Sequence, residues 1–133
     1  MSDPATVSPT SELKVLIQGA ADNIVVKDKN GNAYKLQPLD LADFCEYEDR
    51  TGTSFLMMNF STLKLQDIVF MFYLSLRKDG LSPKEVDDRK FPFSESEFKR
   101  RFDMKLFSNA AVLLTDLLRI SGLDMKANPQ AAN

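Results

Sequence analysis

The sequence predicts a mainly α-helical domain, with about four to five helices and a β-hairpin near its N-terminal side. Three observations carry that expectation. Leu65–Leu76 reads Leu-Gln-Asp-Ile-Val-Phe-Met-Phe-Tyr-Leu-Ser-Leu, the most hydrophobic run in the chain. Capping residues set between two apolar residues recur at one predicted helix start after another, which is the staple pattern. Asn30-Gly31 lies between two apolar runs, a strong hairpin signal. A chain of 133 residues suits one domain with one sizeable core.

In chain order, residues 1–10 are rich in Ser, Pro, Thr and Ala and read as a mobile arm. Met1-Ser2-Asp3-Pro4 shows no basic region followed by an apolar one, so no secretory leader is expected. Within Ser11–Ala21, the run Leu13, Val15, Leu16 and Ile17 reads either as a short helix ending at Gly19 or as a strand. The hairpin is expected near 24–37, with Ile24-Val25-Val26 and Ala33-Tyr34-Lys35-Leu36 flanking Asp28–Asn32. A lone hairpin is marginal, so it must lean on the helices.

Helix starts are expected where Leu39-Asp40 faces Phe44, Phe60-Ser61 faces Leu65, Leu81-Ser82 faces Val86 and Phe93-Ser94 faces Phe98. Ser82 with Glu85 and Ser94 with Glu97 complete capping boxes, and Pro83 suits the first helical position. Thr51-Gly52, Lys78-Asp79-Gly80 and Ser121-Gly122 are the matching stops. Leu65–Leu76 is apolar nearly all round, as befits a helix at the centre of a small fold. A membrane span would need roughly 20 apolar residues, and Arg77, Lys78 and Asp79 end this run sooner. The last helix is expected from about Met104, with Leu106, Phe107, Ala110, Leu113, Leu114, Leu117 and Leu118 packed on the core helix. Periodicity is lost over 124–133, which reads as a mobile tail after a domain spanning 11–123.

Composition narrows the function. The net charge is -2, which argues against nucleic acid as the main partner. The absence of histidine removes the commonest general base, the Ser-His and Cys-His pairs and the usual transition-metal ligand. No catalytic set, metal site or cofactor is expected. Cys45 is the single cysteine and is expected to be a buried structural thiol. The acidic cluster Asp40, Asp43, Glu46, Glu48 and Asp49 is expected to coat a solvated helix face, as are Asp87 and Asp88.

Two stretches are candidate binding sites. Gly52–Phe60 joins two helices yet carries large apolar side chains, among them Phe55, Met57 and Met58. Phe55, Leu56 and Phe60 are expected to tuck under the core helix. Paired methionines suit a surface that grips varied apolar partners, so Phe55, Met57 and Met58 are the partner-binding candidates. Lys99-Arg100-Arg101, interleaved with Phe91, Phe93, Phe98 and Phe102, is the weaker, basic candidate for a single-stranded nucleic acid. Phe98 and Phe102 lie one turn apart and are expected to face the core.

Several segments resemble the tail assembly chaperones of long-tailed bacteriophages. Tyr34–Asp43 (Tyr-Lys-Leu-Gln-Pro-Leu-Asp-Leu-Ala-Asp) is similar to their opening strand, Pro-Leu turn and acidic helix. Leu74–Val86 is similar to their central passage of helix, Gly-Leu and capped helix, and Leu117–Leu123 to the end of that domain. The resemblance implies a small helical, non-enzymatic protein that covers the long apolar tape measure protein before the tail tube forms. It also implies contacts with other tail proteins, self-association along the ligand, residence in the host cytoplasm and absence from the mature virion. No membrane partner is implied. The rival expectations are a head-tail connector or tail completion protein, and a nucleic-acid-binding regulator using Lys99–Arg101.

Overall fold

The computed structural model describes residues 23–123, apart from the side chain of Phe60. The expected arm at 1–10, the helix-or-strand segment at 11–21 and the tail at 124–133 lie outside the described residues. Within them the chain is mainly helical, with an antiparallel hairpin on the N-terminal side, as its sequence predicts. The hairpin is β1 (Val25–Lys27) and β2 (Ala33–Lys35), in the register Val25–Lys35, Val26–Tyr34 and Lys27–Ala33. The helices are α1 (Leu41–Thr51), α2 (Leu65–Leu76), α3 (Pro83–Asp87), α4 (Glu95–Arg101) and α5 (Ala110–Ile120).

The hairpin loop is longer than a two-residue turn, because Asp28 organises it. Its carboxylate accepts hydrogen bonds from the amides of Asn30 and Asn32, from Asn32 Nδ2 and from the Tyr34 hydroxyl. Gly31 takes the left-handed φ of 87° that closes the loop. Tyr34 then packs its ring against Phe93 and Phe102, at 5.8 and 5.1 Å between centroids, so the hairpin does lean on the helical core.

At the centre, α2 begins and ends where the apolar run does. Residues 69–76 are buried on every side, with Met71, Phe72, Leu74 and Leu76 fully inaccessible. Each such side chain contributes about 1.5–3 kcal/mol relative to leaving it in water. Ser75 is tolerated among them because its hydroxyl both accepts from Gln37 N (2.8 Å) and donates to Gln37 O (2.7 Å). The core helix packs against α1 and α4. Leu39 N donates to Ser121 Oγ at 2.8 Å, tying the entry of α1 to the end of α5.

Ser82 and Ser94 cap α3 and α4 with both capping boxes formed, and Phe93 stacks on Phe98 at 6.3 Å. Phe98 and Phe102 are buried as expected. Asp40 caps α1 and forms a third box with Asp43. Two boundaries differ from expectation. Ser61 does not cap the core helix: a 3-10 turn takes up Phe60–Thr62, Ser61 bonds to Asn59 Oδ1, and Lys64 is the uncapped N-terminal residue. The last helix begins at Ala110 rather than Met104, because Met104–Asn109 winds as a 3-10 stretch capped by Asp103. Asn109, with φ -120° and ψ 34°, breaks the path between the two. Phe107 of that stretch still reaches the core helix, edge-on to Phe72 at 5.9 Å.

Candidate partner-binding surface

The connection after α1 is built by a chain of local hydrogen bonds. Gly52 takes a φ of 71° and its amide closes onto Glu48 O at 2.8 Å. Glu48 then receives the amide of Phe55 on its carboxylate at 2.6 Å, which starts a 3-10 turn over Phe55–Met57. A 3-10 turn repeats every three residues, so Phe55 and Met58 share its inner side. Phe55 is buried, 4.4 Å from the ring of Phe44 and 5.9 Å from that of Tyr47. Met58 is half-buried against the core, and its sulfur accepts the Tyr47 hydroxyl at 3.9 Å. Burial, with the charge of Asp67 nearby, pushes the Tyr47 hydroxyl up to about 12.

The same period turns the two intervening side chains outward. Leu56 is 75 % exposed and Met57 is 67 % exposed. The expectation that Leu56 tucks under the core is therefore overturned, and so is Phe55 as an open contact. Of the methionine pair, Met57 faces out and Met58 faces in. Leu41 at the start of α1 and Leu65 at the start of α2 are also more than half exposed. Cys45 is also exposed, contrary to the expected buried thiol, because α1 turns Asp43, Phe44 and Tyr47 inward and position 45 away.

The basic candidate is dispersed. Lys99 pairs with Glu95 at 3.4 Å, and Arg101 pairs with Glu97 at 3.7 Å and lies 4.9 Å from the Phe93 ring. Of these three, Arg100 alone has no ion pair among the described residues. Phe93, Phe98 and Phe102 are core, and Phe91 is half-buried under Arg77 (4.2 Å) and Arg89 (5.2 Å). These rings are not open stacking surfaces.

The acidic face of α1 is not simply solvated. Asp43 is 3 % exposed and meets Arg77 (3 % exposed) at 3.2 Å and Lys78 at 2.5 Å. Arg77 also bonds Glu46 at 2.9 Å, and Lys78 Nζ donates to Pro38 O at 2.6 Å. Hydrogen bonding from Arg77 holds the Glu46 carboxyl below its ordinary range, against the opposing effect of burial. Asp43 and Glu46 both face cations, so this part of the cluster joins α1 to the end of α2. The sequence signal for it is Arg77-Lys78 directly after the most apolar helix. Asp40, Glu48 and Asp49 keep the expected surface-facing or partly exposed positions.

Among the described residues no group of three or more His, Cys, Asp or Glu side chains is placed to hold a metal ion. None of the described helices is long and apolar enough to cross a membrane. Comparison with protein-family models, curated proteins and solved structures finds no match to this chain.

Proposed function

We propose that this chain is a non-enzymatic phage tail assembly chaperone, which covers apolar segments of the tape measure protein in the host cytoplasm and leaves before the virion is finished. The observation that carries the reading is the outward placement of Leu56 and Met57 on a turn whose other two large side chains are locked into the core. Single exposed apolar residues are ordinary. Two adjacent ones on a turn suit contact with the apolar stripe of a helix. The flexible thioether of Met57 can follow a ligand whose sequence varies along its length. Support also comes from the resemblance of Tyr34–Asp43, Leu74–Val86 and Leu117–Leu123 to that family.

The test is co-expression with the tape measure protein of the same phage. The chain should turn an otherwise insoluble partner soluble, and Leu56→Ser/Met57→Ser should lose that effect while melting within a few degrees of the parent, since both side chains are exposed. A double variant that solubilises the partner as well as the parent sinks this surface. Recovery of the chain from purified virions by mass spectrometry would point instead to a retained connector or completion protein.

A further inference from the structure

The hairpin has two edges, and they are not alike. On β2, Lys35 N donates to Asp79 Oδ2 at 3.2 Å, and Gln37 Nε2 bonds Asp79 Oδ1 at 3.3 Å and Lys35 O at 3.4 Å. Side chains close that edge. On β1 the alternation of an antiparallel ladder decides which backbone groups stay free. Leu36 N donates to Ile24 O and Asp28 N to Asn32 O, so the even-numbered residues of this strand bond across the hairpin. The N–H and C=O groups of Val25 and Lys27 therefore point away from β2, and among the described residues they have no hydrogen-bond partner.

Beyond this open edge lies a cleft of about 390 Å³. Its near wall is the run Val25–Lys29, whose outward edge is open at Val25 and Lys27 and closed at Lys29, where the amide donates to Arg101 O at 2.9 Å; its far wall includes Lys105, Leu106, Asn109 and Leu113. Lys27, Lys29 and Lys105 border it, are exposed, and form no ion pair among the described residues. Two carboxylates also line the cleft. Asp28 accepts the loop amides and the Tyr34 hydroxyl, and Asp103 accepts Lys105 N at 3.0 Å. Three lysines against two carboxylates thus leave the lining of this cleft net positive by one charge, beside a strand edge free at Val25 and Lys27.

The geometry points to a docking edge for an extended acidic segment of another protein, which adds a strand to β1 and sets its carboxylates against Lys27, Lys29 and Lys105. Main-chain bonds to Val25 and Lys27 supply the pairing, and alternate side chains meet either the lysines or the exposed Val25. A helix has no free backbone groups to offer such an edge. This surface is therefore distinct from the one around Leu56 and Met57 and does not depend on its role.

The test titrates the full chain, labelled with nitrogen-15, with a blocked peptide alternating Glu and Val, at low salt. Amide shifts are expected at Val25–Lys29 and at Lys105–Asn109, with slowed exchange of the Val25 and Lys27 amides at saturation. Lys27→Glu/Lys105→Glu should weaken binding by about tenfold or more without altering the melting temperature, since opposite charges are lost and like charges gained. Three results would each overturn the assignment: no shifts at ~1 mM peptide, equal binding by a Lys-Val peptide or by one methylated on alternate backbone nitrogens, or Val25 and Lys27 amides that exchange slowly before peptide is added. The last would show the edge already covered by the chain itself or by a second copy.

Discussion

At Asp43 one carboxylate takes hydrogen bonds from Arg77, Lys78 and the Asp40 amide, all within a site shut off from water. Replacing it with Ala would take the close carboxylate from buried Lys78 and leave Arg77 with Glu46 alone, and removing one partner of a buried pair costs about 3–5 kcal/mol. Urea unfolding of Asp43→Ala should show that loss, whereas Asp49→Ala, on the exposed side of the same helix, should stay within about 0.5 kcal/mol. Glu46 adds a pH dependence. Its folded value lies below the ordinary 4.5, so it favours the folded state at neutral pH, and this contribution disappears as pH falls from 4.5 through the folded value. The fall in urea midpoint between neutral pH and pH ~3 should be smaller in Glu46→Gln than in the parent. A residue-scale reading of the sequence finds Asp40 as a cap but not the burial of Asp43. That burial depends on cations arriving from 34 and 35 positions away, and no local pattern reports such a meeting.

Local rules carried further at the scale of elements, and their failures share a cause. Ser82 and Ser94 cap as expected because each sits one residue outside a helix with Glu at the third helical position. Ser61 has the staple residues but is drawn into a 3-10 turn with Asn59, three residues ahead of the real helix boundary at Lys64. Ser94→Ala should therefore destabilise by ~1 kcal/mol, the usual value for a lost N-cap, while Ser61→Ala should cost only a few tenths. Paired thermal melts decide between the two, and equal losses would restore Ser61 as a cap. The same tight winding accounts for the rest. The sequence predicts a period of 3.6 over Met104–Asn109 and shows none over Phe55–Met58, whereas a period of three governs both. Hence the paired methionines stood out in the sequence, while their opposite orientations did not.

Across the whole molecule, 17 basic and 19 acidic side chains nearly cancel, so no single field dominates the surface. Local imbalances decide what it can hold. Leu56 and Met57 present exposed apolar side chains; around the β1 edge three lysines outnumber two carboxylates. Mean composition hides this second feature, because Lys105 is far from Lys27 and Lys29 in sequence and joins them only in the fold. Salt should consequently separate the two surfaces in one protein. Raising ionic strength from about 0.1 M to about 1 M shortens the screening length from about 10 Å to about 3 Å. Calorimetric titration should then show the acidic peptide losing affinity several-fold at the β1 edge. An apolar helix bound at Leu56 and Met57 should hold or tighten, with the negative heat-capacity change of apolar burial. If both ligands weakened in parallel, they would share one charged surface, and the division of labour between hairpin edge and 3-10 turn would be lost.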